Sequence, residues 1–282
     1  MPGSVERGPV VVGPARVGAR RTAEDGVHVV GEPGVSSLGD VPLAARIADV
    51  LLLRPDGALP LVHLPGAATA LVYRRLGTGG GELRVVGPRS RASYHPGKEL
   101  PLCIRVRLRP GATRAVLGVP ASELRDEAVP LTDVWGDRAE RLENRLNELT
   151  APGSILRSVE AALLENLPNG TGPSDRLLRE AVASLSTTYG RVGALAGRLS
   201  VSERHLRTLF TDQVGLSPKR FARIQRVRTV LAGAGSVGWA RLASDAGYYD
   251  QSHMTADFHR LMGASPAAFH AGRLPATTPC AA

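Results

Sequence analysis

Cysteine is scarce: 282 residues contain two, Cys103 and Cys280. They stand far apart and in no Cys-x-x-Cys spacing, which removes a disulfide framework and a thiolate metal site from consideration. His-x-His spacing is absent too, so the expectation is no bound metal, no cofactor and no catalytic residue. No apolar run approaches the roughly 18 to 20 residues that span a bilayer, and the stretch from Val5 to Thr22 lacks the continuous apolar core of a signal peptide. The expected location is the cytoplasm, without a membrane partner.

Acidic residues are in deficit, with 26 Asp and Glu against 35 Lys and Arg and a formal charge of +9. Such a balance favours a polyanionic partner. Its distribution is uneven: between Ser174 and Arg273 fourteen Lys/Arg face seven Asp/Glu, a local balance of +7. The last third is therefore the candidate binding module, and double-stranded DNA the expected partner.

Residues 1–38 are rich in Gly, Val and Arg without periodicity and are expected to form a mobile tail. From there to residue 165, short β-type runs appear between Gly and Pro: "DVLLL" (49–53), "TALVYRRL" (69–76), "ELRVVG" (82–87) and "LCIRVRLRP" (102–110). In the last, Ile104, Val106 and Leu108 alternate with Arg105, Arg107 and Arg109, a strand with one buried face. Its arginine face reads first as solvated and, alternatively, as the lining of an anionic-ligand pocket. Tyr73, His63, Tyr94, His95 and Trp135 either line a cavity or form a small β core, the latter preferred.

After residue 136 the period changes. Ala139, Leu142, Leu146 and Leu149 make one helical stripe, and Ile155, Val159, Leu163 and Leu164 a second. This helix pair either forms a homodimer contact or packs under its own sheet. "NLPNGTGPSD" (166–175) marks a linker, placed at 166–173, with a basic domain at 174–272 and a tail at 273–282. The expected class is α+β: a small β-barrel with helices, then an all-α module.

The module repeats itself. "SERHLRTLFTDQVGLSPKRF" (202–221) returns at an offset of 48 inside "GYYDQSHMTADFHRLMGASPAAF" (247–269): His205 pairs with His253, Phe210 with Phe258, Gly215 with Gly263, Ser217-Pro218 with Ser265-Pro266 and Phe221 with Phe269. Each copy has an N-cap, Ser202 or Asp250, an apolar stripe, a glycine C-cap and a Ser-Pro restart. Shorter helices, "VGALAGRL" (192–199) and "VGWARLAS" (237–244), precede the copies across brief turns. Two helices joined in this way form a helix-turn-helix, whose second helix presents its N-terminal residues to the major groove. Two units reading adjacent groove segments place Asp250–His253 at a helix tip facing DNA.

Lys219, Arg220, Arg223, Arg226 and Arg228 follow the first unit, and at least Lys219, Arg220 and Arg223 are expected to neutralise phosphates. Ser202, His205 and His253, at the two helix tips, join that set. The equivalence of the two histidines across the repeat argues for a structural or phosphate role and against metal binding or acid–base chemistry. Phe221, Ile224, Val227 and Leu231 are expected to pack as the scaffold between the units.

"LAGRLSVSERHLRTLFTDQVGLSPKRF" and "LASDAGYYDQSHMTADFHRLMGASPAAF" resemble the two helix-turn-helix units of AraC/XylS-type transcriptional regulators, over about 100 residues from Leu177 to Phe269. Residues 106–136 resemble the truncated cupin-like N-terminal domain of one branch of that family. The resemblance implies Arg204, Arg207 and Thr208 on the first recognition helix, and Gln251, Ser252, Thr255 and Ala256 on the second, as base-facing residues. Ala256, where many relatives carry Arg, and the following Asp257 imply weaker reading by the second unit, or methyl contact to thymine. The family further implies a homodimer, a small-molecule effector held in the N-terminal half, and RNA polymerase as a partner. A competing expectation is a DNA-repair alkyltransferase with a similar module, whose chemistry requires an activated thiolate at Cys103 or Cys280.

Overall fold

The alternation in residues 102–108 becomes the pivot of the N-terminal half. In the computed structural model, which describes residues 28–29, 43, 45–53, 60–77, 79–165, 167, 172–187 and 192–279, this strand, β7 (Leu102–Leu108), lies between β2 (Ile47–Leu53) and β4 (Ala70–Arg75). The sheet continues through β5 (Gly81–Val86) to β8 (Ala128–Pro130), with every pairing antiparallel. One face carries Leu71, Tyr73, Leu83, Val85, Ile104 and Val106, all buried. Period-two side chains put Val72, Arg74, Arg84, Arg105 and Arg107 on the other face.

A second sheet has three short strands, β1 (His28–Val29), β3 (Leu61–His63) and β6 (Ser93–His95), in that order. Among the described residues, therefore, the expected small barrel does not close. β3 and β6 pair with each other through three residues each, and neither hydrogen-bonds into the larger sheet. The mobile tail expected at 1–38 lies outside the described residues except for His28–Val29, which pairs in parallel with β3.

The described residues of this half also include the helices α1 (Thr113–Leu117), α2 (Thr132–Trp135), α3 (Asp137–Glu148) and α4 (Pro152–Leu164). The two stripes resolve as packing under the chain's own sheet. Ala139, Leu142 and Leu146 of α3 and Ile155, Val159 and Leu163 of α4 are buried in one core with β4, β5 and β7. Each such Leu, Ile or Val contributes about 1.5 to 3 kcal/mol by leaving water. A dimer contact through these residues would have to expose them.

The C-terminal half is all helical: α5 (Pro173–Thr187), α6 (Val192–Arg198), α7 (Glu203–Val214), α8 (Pro218–Gly233), α9 (Trp239–Asp245), α10 (Gln251–Met262) and α11 (Pro266–His270). Helix α8 is the shared rod, with Phe221, Ile224, Val227 and Val230 buried along it, whereas the expected Leu231 is only partly buried. Phe210 of α7 meets Phe221 edge to face at 5.3 Å.

The halves touch. The Ala92 amide donates to the Leu261 carbonyl at 2.8 Å, the Tyr94 hydroxyl donates to the Met262 carbonyl, and Arg114 pairs with Asp212 at 3.0 Å. Residues 273–279 run back over β6, where the Thr278 amide donates to the Tyr94 carbonyl at 2.8 Å.

Candidate nucleic-acid interface

Both units turn by the same backbone device. At the end of α6, Ser200 takes φ +54°, and the Val201 amide reaches back to the Ala196 carbonyl at 3.0 Å. At the end of α9, Gly247 takes φ +70°, and the Tyr248 amide reaches the Ala243 carbonyl at 2.9 Å. This left-handed residue with a backward bond closes the last helical turn. The two turns correspond at an offset of 47 residues, whereas the helices that follow correspond at 48. The extra residue is Tyr249, inserted between the turn and the α10 cap and 95% exposed.

The caps then restart each chain segment alike. Ser202 accepts from the His205 amide at 3.1 Å and Asp250 from the His253 amide at 2.7 Å, which satisfies one orphan donor per helix. Gly215 at φ +76° and Gly263 at φ +71° end α7 and α10. Ser217 and Ser265 cap α8 and α11 with Pro at the first helical position.

The expected base-facing residues stand at two uncovered tips. Arg204, His205, Arg207 and Thr208 on α7 are exposed, while Leu206 and Phe210 on the opposite side are buried. On α10, Gln251, Ser252 and Ala256 are exposed and Thr255 is half-buried. These four line one shallow groove together with His259 and Arg260. The last two were missed by sequence reasoning, although their position one helical turn beyond Thr255 and Ala256 was the available signal. Arg207 also makes an exposed pair with Glu203 at 2.8 Å, a contact of at most about 0.5 kcal/mol that a phosphate or base displaces cheaply.

Two of the expected phosphate ligands are engaged elsewhere. Arg220 donates to the Ser90 carbonyl of the N-terminal half at 2.9 Å, and burial followed by Arg91 lowers its pKa. Arg223 and Arg226 both reach the carboxylate of Asp257, at 3.1 and 3.3 Å. Asp257, which follows Ala256, is 3% exposed and turned inward. Arg260 approaches it at 3.6 Å and His253 at 4.0 Å. Lys219, Ser202, His205 and His253 remain at the surface.

Of the five side chains considered for an N-terminal cavity, His63 lines the one between the two sheets and α8. Tyr73 and Tyr94 are buried with their hydroxyls bonded to Asn147 and Met262, His95 bonds Thr278 and Ser93, and Trp135 donates to the Leu117 carbonyl. A cavity of about 430 Å³ lies against residues of both sheets and of α8, and Arg105 and Arg107 are in its wall. Of the arginine face read first as solvated, Arg105 and Arg107 thus line a cavity, while Arg109 is exposed.

Cys103 is in the same wall, and burial pushes its thiol pKa up. Nucleophilic thiol chemistry requires the opposite shift; Cys280 lies outside the described residues. Among the described residues, no group of three or more His, Cys, Asp or Glu side chains is placed to hold a metal ion, and no helix is long and apolar enough to cross a membrane.

Residues 195–272 match the family model of a helix-turn-helix domain. No curated protein matches the sequence. Among solved structures, the chain is similar to the DNA-binding domain of AdpA, a global transcriptional factor, in complex with a target DNA, at 24% identity over 36% of this chain and 93% of that one, with a TM-score of 0.32. A regulator with an AraC-type DNA-binding domain from Chromobacterium violaceum is similar at 20% identity, over 36% and 94% of the two chains, with a TM-score of 0.33. ToxT from Vibrio cholerae is similar over more of the length, 81% of this chain and 98% of that one, at 10% identity and a TM-score of 0.39.

Proposed function

We propose, from the premise that residues 195–272 are an AraC-type helix-turn-helix domain of a DNA-binding transcription regulator, that both units read sequence, in adjacent major-groove segments of one duplex. The observation that carries this is the repetition of an uncovered, capped helix tip with the same buried stripe behind it. Arg204, Arg207 and Thr208 contact base edges from α7, and Gln251, Ser252, Thr255 and Ala256 from α10. Arginine pairs bidentately with guanine and glutamine with adenine, so the first tip favours a G-containing segment and the second an A-containing one. Phosphate contacts fall to Ser202, His205, Lys219, His253 and Arg260, with Arg220 and Arg223 reassigned to internal bonds.

In this reading residues 39–165 sense an effector and serve as the dimerisation platform, 166–173 link them to the DNA-binding module at 174–272, and RNA polymerase is the downstream partner in the cytoplasm. The burial of the α3 and α4 stripes directs a homodimer to some other surface. Selection of bound duplexes from a random pool, followed by mobility-shift titration at physiological salt, tests the proposal. Two enriched motifs about one helical turn apart are expected. Enrichment of one motif alone would reduce the second unit to a scaffold, and no preference over competitor DNA would refute the reading.

A further inference from the structure

Both recognition helices end against one short segment of the N-terminal half. Residues 88–94 meet three helices of the DNA-binding module in turn. At the start, Pro88 abuts Gly215, the left-handed C-cap of α7: a Cβ on that glycine would lie 2.9 Å from Cγ of Pro88 and 2.7 Å from the Ala121 carbonyl oxygen. In the middle, the Ser90 carbonyl accepts from Arg220 in the first turn of α8 at 2.9 Å. At the end, the Ala92 amide donates to the Leu261 carbonyl at 2.8 Å and the Tyr94 hydroxyl to the Met262 carbonyl, both in the last turn of α10. The last carbonyls of a helix have no partner within it, and a buried one needs a donor from elsewhere. Here the other half of the chain supplies that donor. It does so on α7 as well, where the Ser122 amide donates to the Asp212 carbonyl at 3.3 Å and Arg114 pairs with the Asp212 carboxylate at 3.0 Å.

The segment is itself held from behind. Arg89 and Gly66 exchange both backbone bonds, at 2.8 and 2.9 Å, the Ser90 amide donates to the Asp126 carboxylate at 2.6 Å, and β6, which contains Tyr94, pairs with β3. Tyr94 also packs in a small cluster with Val62, Phe269 of α11 and Leu274. Burial pushes its hydroxyl pKa up to about 12, so the group stays a donor throughout the neutral range. We infer that residues 88–94 are a brace that fixes the separation and relative angle of α7 and α10, with Tyr94 as the positioning residue on the second recognition helix. The number of base pairs allowed between the two motifs is then set in part by the N-terminal half. Helix α8 grips α10 midway, at Asp257, and the brace adds directed bonds at Leu261 and Met262, about one turn further on. Apolar packing is non-directional and tolerates small slips; a hydrogen bond weakens steeply once misaligned. The consequence for spacing rests on the DNA-binding reading above, whereas the brace itself does not.

The test uses the full chain. For the frame itself, spin labels are placed at Thr208→Cys and Ala256→Cys, equivalent exposed positions on the two helices, in a background of Cys103→Ser and Cys280→Ser. Their distance distribution is recorded without DNA. The parent should give one narrow distribution, and Tyr94→Phe, which removes a single hydroxyl, should at least double its width. Arg114→Gln, at an exposed position on the α7 side, should broaden it in the same sense and decides alone if Tyr94→Phe fails to fold. An unchanged width in the folded variants overturns the brace. For the consequence, the unlabelled parent and Tyr94→Phe are titrated with the selected duplex and with duplexes carrying one base pair more or fewer between the motifs. The parent should lose at least tenfold in Kd on either change, and Tyr94→Phe less than threefold, with single-motif duplexes bound within twofold of the parent. A spacing penalty equal in the two chains overturns the role in DNA reading, since a variant that is merely less stable weakens all duplexes alike. Absence of any sequence preference in the parent indicts the regulator reading alone, and the label distances then judge the brace.

Discussion

Arg223 lies across the contact between α8 and α10 with its Nε 3.1 Å from Oδ1 of Asp257. Arg226 holds the other oxygen at 3.3 Å while stacking on Tyr248 at 4.6 Å, and Tyr248 in turn meets the ring of His253. One buried carboxylate thus ties the rod, the turn and the tip of the second recognition helix together. Removing one partner of a buried ion pair leaves the other charge unpaired, a loss of about 3 to 5 kcal/mol when burial is complete. The arginines here are partly exposed, so Asp257→Asn should cost about 2 kcal/mol in urea unfolding. DNA carrying only the second motif should lose affinity more than DNA carrying only the first. A stability loss with both motifs equally affected would make Asp257 a general core residue and not the anchor of α10.

Tyr249 supports a different outcome. It is inserted in the second turn, is 95% exposed, and stands next to the α10 cap. An aromatic this exposed contributes little to folding, so Tyr249→Ala should move stability by less than about 0.5 kcal/mol. Its place beside the tip predicts a several-fold loss in DNA affinity by fluorescence anisotropy. Unchanged affinity would mark the insertion as a spacer.

The C-terminal half was legible because its instructions are local. Caps, glycines and Ser-Pro restarts act within a few residues, and Ser202, Gly215, Asp250 and Gly263 all occupy the roles their spacing implies. What was not legible was non-local. Arg223 reads as a solvent-facing cation, since its carboxylate lies 34 residues onward and on another helix. Likewise, the alternation in β7 correctly separates Ile104 and Val106 from Arg105 and Arg107 but does not say what faces the arginines. That depends on β3 and α8 closing over them, and strands of three residues such as β3 and β6 carry too few side chains to show a period.

Base and phosphate contacts separate by their response to sequence and salt. Arg204→Ala should relax specificity at one base pair by about 1 to 3 kcal/mol, with little change in binding to random duplex. Lys219→Ala should weaken selected and random DNA alike and lower the slope of log K against log salt by about 0.9. Titrations at several salt concentrations distinguish the two patterns. Identical behaviour of the two variants would undo the division of roles between α7 and the start of α8.

His63 makes the N-terminal half acid-sensitive, and the sign follows from proton counting. Its folded pKa is depressed to about 3, chiefly by burial and then by Arg89, from an ordinary 6.5. Above pH 6.5 the imidazole is neutral in both folded and unfolded chains, so this group contributes no slope. Below it, the unfolded chain binds a proton that the folded chain refuses, and stability falls toward pH 3 by at most about 1.4 kcal/mol per pH unit from this group. Urea unfolding at pH 7 and pH 5 should show the loss, and His63→Gln should remove that increment while the carboxylates supply the rest at lower pH. A slope between pH 7 and pH 5 that is identical in the parent and His63→Gln would place the imidazole in contact with water and outside the field of Arg89.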